Sequence, residues 1–365
     1  MRFVISMNRE PILIIADDLT GACDAAVSFA AAGEEVRVRL IPPLNGVSGR
    51  VRGLTTNTRD VEESEAEKRI RELVNEAGSE VEVFKKVDSV FRGNTILEIS
   101  AAVRHWKFDV AVIASAYPAL GRRVLAGVLW VEDAAGERSV PIEGLLAEAG
   151  VFVKRIAAGT EQHVAAAMSA AIEDGARAFL CDAAVQSDLE RIVAGARSLQ
   201  KRILWIGSGG LARALAAKTN SEPEVMRRRR GRVVYFVGSR HAVTESQVEC
   251  LKKLESKDGA SGIVVRVAMG QTTEEEIRRT VADLMAERVG CLFMTGGDTA
   301  LFVCRVLGVE SIRLEREFAE GVPLGTVEGG AMDGVTVVLK SGGFGEVNLM
   351  CRVLEEFGVK QEVTV

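Results

Sequence analysis

At 365 residues the chain is long enough for two domains or one large one, and 47% hydrophobic residues allow a sizeable core. A formal net charge of −5 with both signs interspersed argues against nucleic acid, whose binders carry a basic excess on at least one face. No apolar stretch approaches the roughly 20 residues of a membrane span, and the first ten residues, MRFVISMNRE, lack a signal-peptide core; neither a membrane partner nor secretion is expected.

Six cysteines are scattered without a CxxC pair, which reads as free thiols in a reducing cytoplasm. Three histidines, none at metal-ligand spacing, make a zinc site a poor expectation. Carboxylates and lysines are left to carry the chemistry.

In chain order, short apolar runs alternate with helical patterns. Strands are expected at 12–16, 36–40, 51–55, 81–85 and 110–114, with helices at 19–32, 62–77 and 96–103 between them. Residues 128–142 are less regular and suggest a hairpin turning at Ala135-Gly136. Strands at 151–156, 178–182 and 203–206 and helices at 162–174 and 187–200 continue the series. Composition turns polar and arginine-rich over 218–232, which marks a boundary. The basic run Arg227–Arg230 reads as a solvated linker. A fresh pattern follows, with strands at 233–237, 263–267, 291–294 and 335–339 and helices at 244–254, 273–287 and from Ala300 to Leu307. The expected fold is α/β: two domains, 1–225 and 232–365, with mainly parallel sheets facing each other across a cleft.

Chemistry-bearing residues cluster where strands end, the edge at which open α/β sheets hold ligands. After the first strand come Asp17, Asp18 and Asp24, more carboxylates than one helix cap needs. Asn57-Thr58-Arg59 follows the third strand, and Arg59 suits bidentate capture of a carboxylate. Lys86, Asp88, Ser89, Arg92 and Asn94 crowd one loop, a set matched to a small polyhydroxy acid. Ala116–Arg122, with Tyr117, could close the same crevice. Gly207-Ser208-Gly209-Gly210 is a strand–turn–helix glycine cluster, but its spacing misses GxGxxG, so a Rossmann cofactor is not expected.

In the second half, Thr295-Gly296-Gly297-Asp298-Thr299 joins a strand to a helix start, the geometry that offers unpaired N–H groups to an anion. Lys340-Ser341-Gly342-Gly343-Phe344-Gly345 repeats the arrangement, and Gly238-Ser239-Arg240-His241 adds a third loop. Two glycine loops with Lys340 as a cation favour a nucleotide.

Taken together, IADDLTGACDAA (15–26), NTR (57–59), KKVDSVFRGN (85–94), AYPALGR (116–122), GSGGLA (207–212), GSRHAVTESQ (238–247), TGGDTA (295–300), GVPLG (321–325) and LKSGGFG (339–345) resemble the four-carbon acid sugar kinase family nearly end to end. ADDLTGA and KSGGFG are its specific blocks. Val90 stands where that family usually has threonine, and Arg240-His241 adds a cation beside the third loop.

The resemblance implies ATP-dependent phosphorylation of the terminal hydroxyl of threonate, erythronate or 3-oxo-tetronate. It implies an N-terminal sugar-acid site with Asp18 or Asp88 as the base and Asp17, Arg59, Lys86, Ser89, Arg92 and Asn94 as binding residues. It implies an ATP site of Ser239, Gly296, Gly297, Asp298, Thr299, Gly342 and Gly343, with Asp298 on Mg²⁺. The alternatives are a kinase of another small hydroxy acid (4-hydroxythreonine or a five-carbon aldonate) and a non-catalytic sugar-acid sensor. A homodimer is left open.

Overall fold

The computed structural model describes residues 11–40, 50–77, 81–133, 136–216, 230–258, 262–285 and 288–359. The strands of the first half are β1 (Ile12–Ala16), β2 (Val36–Arg39), β3 (Val51–Thr55), β4 (Glu82–Lys86), β5 (Val110–Ala114), β6 (Arg122–Leu125), β7 (Val128–Asp133), β8 (Gly136–Val140), β9 (Lys154–Ile156), β10 (Ala178–Cys181) and β11 (Ile203–Gly207). Those of the second half are β12 (Arg232–Val237), β13 (Ile263–Arg266), β14 (Val289–Thr295), β15 (Ser311–Ala319), β16 (Val322–Glu328) and β17 (Thr336–Lys340).

The class is α/β with mainly parallel pairing, as the alternation predicts. The expectation of two separate sheets is corrected: fourteen strands form one sheet in the order β13-β12-β14-β17-β16-β15-β2-β3-β1-β4-β11-β5-β10-β9. Every pairing in it is parallel except those that β15 and β16 make. The join is β15 lying antiparallel to β2, Ile312 opposite Val38. Arg37 reinforces it, its Nε 3.0 Å from Glu328. The central strands are buried on both faces and accordingly read as unbroken apolar runs, ILIIA in β1 and VAVIA in β5.

Helix Leu19–Ala31 explains how one core serves both halves. Its sequence, LTGACDAAVSFAA, is small and apolar all round, so it is buried on nearly every side. It packs against β3 and β2 of the first half and against β15 and helix Gly297–Val306 of the second. One apolar cluster therefore runs from Ile12 through to Leu339. A smaller cluster fills the other face of the second half, between Tyr235, Phe293 and helix Leu349–Phe357.

The irregular stretch 128–142 belongs to a three-stranded antiparallel sheet, β6-β7-β8. Its expected turn falls partly on residues 134–135, outside those described, as do Arg227–Arg229 of the arginine run. The hairpin β15–β16 has no counterpart in the elements expected from the sequence.

Candidate active site

Parallel register lines up the strand ends of the first half. Ala16 is level with Thr55 and with Lys86, and Lys86 with Gly207. The loops that follow, at 17–18, 56–59, 87–94 and 208–210, must therefore converge. In the second half Val237 is level with Thr295 and Thr295 with Lys340, so the three glycine loops also meet.

The first cluster is a knot of acids and arginines. Asp18 caps helix Leu19–Ala31, one oxygen accepting from Gly21 N–H at 2.6 Å and the other from Thr20 Oγ1 at 3.1 Å. Arg59 donates Nε to Asp17 Oδ2 and Nη1 to Asp18 Oδ2, each at 2.6 Å, and its Nη2 lies 3.5 Å from Asp88 Oδ2. Asn57 makes this possible by turning the chain at φ 49°, a conformation asparagine tolerates.

Asp88 in turn takes Arg92 in a forked contact, with Nη2 2.6 Å from Oδ2, and accepts the N–H groups of Val90 and Arg92. Phe91 sits at φ 61° between them, a strained conformation for an aromatic residue that these contacts enforce. Burial would raise the Asp88 carboxyl, but Arg92 and then Arg59 outweigh it and hold the group well below the usual carboxylate range.

Two expectations change on this geometry. Arg59 is not a spare cation waiting for a substrate carboxylate; it is taken up by Asp17 and Asp18. Asp88, pinned as a stable anion, is a weak proton acceptor. Asn94 acts within the protein as well, because its amide donates to the carbonyls of Thr58 and Val61 and so ties the 87–94 loop to the 56–61 loop. Of the cations here Arg92 is the outward-facing one, its side chain 59% exposed; Lys86 is buried.

Strand alternation separates the two lysines of KKVD. Lys85 pairs with the buried Glu98, Nζ to Oε2 2.5 Å, and Thr58 donates to the same carboxylate. Lys86 points to the site side, its Nζ 3.8 Å from Asp24 Oδ2. Asp24 also accepts from Tyr117 Oη at 3.2 Å. Burial pushes Asp24 up to about 6; Lys86 opposes the rise and Glu317 adds to it. The Asp24–Tyr117–Lys86 grouping was not singled out by the sequence, although each residue lies in a block that was. Ser89 is buried beside Asp88. Asp17 keeps one buried oxygen, Oδ1, with no hydrogen-bond partner among the described residues.

The second cluster is made of backbone. Gly296 has φ 98° and opens helix Gly297–Val306. A Cβ on Gly342 would lie 3.1 Å from Ser239 Cβ and closer still to its hydroxyl, so glycine is needed there for these loops to abut, while one on Gly343 would lie 3.2 Å from His241 Nε2. Thr299 is buried against Gly238. Thr295 Oγ1 is buried at the end of β14 without a hydrogen-bond partner among the described residues. Lys340 is not extended toward the loops' outer surface; it is buried beneath them. A crevice of about 390 Å³ adjoins the first loop, bordered by Gly238, Arg240, Arg266 and Gln271.

The two clusters touch. A Cβ on Gly297 would lie 2.7 Å from the Asp18 carboxyl carbon, and Thr20 Oγ1 is 3.4 Å from Ser341 Oγ. Asp298 is exposed at this junction; partial burial, then Asp60 and Asp18, hold its carboxyl above the ordinary value, with Arg59 opposing. Among the described residues no three acids, histidines or cysteines gather as a metal cage. A single carboxylate beside strand-end glycine loops nevertheless fits Mg²⁺, which usually takes one or two carboxylates together with phosphate oxygens. No helix among the described residues is long and apolar enough to cross a membrane.

Residues 12–144 and 145–215 match the family model of a sugar-binding N-terminal domain, and residues 260–350 that of a nucleotide-binding C-terminal domain. A D-threonate kinase of Bordetella bronchiseptica is 29% identical, over 96% of this chain and 98% of that protein. A D-erythronate kinase of Heliobacterium modesticaldum is 26% identical, over 94% and 96%. A 3-oxo-tetronate kinase of Methylobacterium radiotolerans is 26% identical, over 93% and 98%. Among solved structures, a Haemophilus influenzae protein shares the fold with a TM-score of 0.68 at 18% identity, covering 94% of this chain and 100% of that one. A Salmonella typhimurium protein does so with a TM-score of 0.69 at 20% identity, covering 95% and 99%.

Proposed function

The chain belongs to the four-carbon acid sugar kinase family and is a carbohydrate-acid kinase, and from that premise we propose that it phosphorylates the terminal hydroxyl of threonate, erythronate or 3-oxo-tetronate with Mg-ATP. Residues 1–225 would hold the acid sugar and residues 232–365 the nucleotide.

The observation that carries the reading is the contact between Asp18 and Gly297. It sets a carboxylate of the hydroxyl-rich-ligand cluster directly against the helix start of the anion-binding cluster, where an acceptor hydroxyl and a γ-phosphoryl group have to meet. Phosphoryl transfer asks mainly for positioning and charge neutralisation. Asp18 would orient the attacking hydroxyl and take its proton, and Asp88 would hold Arg92 and Arg59 in place. Arg92 and Lys86 would bind the sugar carboxylate; Asp17, through its unpartnered oxygen, and Ser89 would bind hydroxyls. The N–H groups of Gly296, Gly297, Gly342 and Gly343, with Ser239 and Thr299, would cradle the phosphates. Asp298 would hold Mg²⁺, which neutralises charge on the transferring group. The crevice beside Gly238 and Arg240 would take the base.

Val90 favours a second reading, another small hydroxy acid such as 4-hydroxythreonine or a five-carbon aldonate, because it removes a hydroxyl next to Asp88.

The test is ADP release from Mg-ATP across D- and L-threonate, D- and L-erythronate, the 3-oxo-tetronates, 4-hydroxythreonine and five-carbon aldonates. Saturable turnover on one four-carbon acid is expected. Turnover confined to the last two classes would replace the four-carbon reading with the second one.

A further inference from the structure

Lys340 is fully buried at the last position of β17. Its ammonium donates to Thr244 Oγ1 and to the Gly342 carbonyl, each at 2.9 Å. The Thr244 hydroxyl donates to that same carbonyl at 2.7 Å. Among the described residues no carboxylate pairs with it, whereas buried Lys85 has Glu98 and buried Lys86 has Asp24. A buried charge without a counter-charge is costly, and the group responds by favouring its neutral form. Burial alone brings Lys340 down to about 7.

What lies above this lysine is the loop 341–345, where a carbonyl at Gly342 points down to it and the loop's outer side faces Ser239 and His241. The chain supplies no anion there among the described residues. The place where one fits is over the glycines.

We propose that Lys340 is the buried counter-charge for the nucleotide's phosphates, acting through the loop it supports and not by contact, so that nucleotide binding draws a proton from solvent onto its amine. The inference rests on the nucleotide reading of this half. It makes Lys340 a positioning residue: charged, it fixes the Gly342 carbonyl downward and so keeps the glycine N–H groups presented upward.

The groups packed around it are few. Thr244 on helix Ala242–Asp258 and Thr295 at the end of β14 are uncharged. His241 lies against Gly343, Arg240 is exposed beside it, and Asp298 stands on the next helix. His241 is the other group whose role the test has to separate.

Calorimetric titration of the full chain with Mg-ADP, in buffers of differing ionisation enthalpy, reads the proton directly. At pH 8 the expected uptake is most of a proton per nucleotide beyond the ligand's own, falling to a small fraction at pH 6, where the free protein is already protonated. Lys340→Met should lose the uptake and bind ADP about tenfold more weakly at pH 6. His241→Gln should keep the uptake. Thr244→Val removes one acceptor of the ammonium and should move the midpoint of uptake to lower pH, a readout that survives if Lys340→Met does not fold. ADP binding without uptake overturns the inference, as do uptake that persists in Lys340→Met, uptake lost in His241→Gln, or an unmoved midpoint in Thr244→Val. Failure of ADP to bind at all would sink the nucleotide reading and this inference with it.

Discussion

The two halves of the site are built from different material. The N-terminal cluster is side chains: Asp17, Asp18 and Asp88 held by Arg59 and Arg92, with Asp24, Tyr117 and Lys86 behind them. The C-terminal cluster is backbone: three glycine-bearing loops at neighbouring strand ends, with one buried lysine below. The difference fits what we propose each to hold. A polyhydroxy acid differs from its stereoisomers only in where hydroxyls point, and side chains locked by mutual ion pairs can discriminate that. A polyphosphate needs many donors close together, which glycine loops and a helix start supply without side-chain entropy. Substitutions should accordingly hurt in different ways: charge changes in the first cluster, volume changes in the second.

The largest effect is expected at Asp18. Asp18→Asn keeps the cap's shape but removes the proposed proton acceptor, so turnover should fall ~10³-fold in coupled ADP-release assays. A loss of less than about tenfold would remove Asp18 as the base. Gly297→Ala comes next, since its methyl group would press into the Asp18 carboxylate and misplace both partners. A ~10²-fold drop in kcat/KM is expected, and a variant with normal kinetics would separate the two clusters.

Asp88→Asn should act on binding more than on chemistry. With Asp88 neutral, Arg92 loses its anchor while Arg59 keeps Asp17 and Asp18, so KM for the acid should rise about tenfold while kcat changes less. The same residue carries a pH signature. Its folded-state carboxyl titrates below the unfolded one, so its contribution to stability is present above about pH 4 and fades as pH falls through the folded value. Acid unfolding followed by circular dichroism should begin at a higher pH in Asp88→Asn than in the parent chain.

Asp24 has the opposite sign and the smallest effect. Its folded value, about 6, lies above the unfolded one, so protonation favours the folded state. Thermal stability should rise as pH falls from about 6 to about 4, opposite in sign to the loss that Asp88 causes below about pH 4. Asp24→Asn should flatten that segment of the Tm–pH curve; an unchanged curve would assign the slope to another group.

Much of this was legible in the sequence. Strand-ending blocks such as ADDLTGA and TGGDT announce themselves, because an apolar run followed at once by acids or glycines has few structural uses. What could not be read is the pairing between distant residues. Arg59 looks like a free carboxylate clamp until the fold brings Asp17 and Asp18, far away in the chain, to its guanidinium. Asp24 and Tyr117 likewise meet only because helix Leu19–Ala31 and the end of β5 share one edge of the sheet. The hairpin β15–β16 was missed for a local reason: Arg313, Glu315, Arg316 and Glu317 break the apolar signal of a strand whose charges are answered by Arg213, Thr326 and Glu356. That hairpin merges two expected sheets into one and brings the clusters together.

The division of labour is tested most directly by titrating Mg-ADP into the parent chain, Asp18→Asn and Gly342→Val. Asp18→Asn should bind ADP with an unchanged Kd despite its lost turnover, while Gly342→Val, whose side chain would collide with Ser239, should bind it about tenfold more weakly or worse. ADP affinity that falls with Asp18→Asn and survives Gly342→Val would contradict the account.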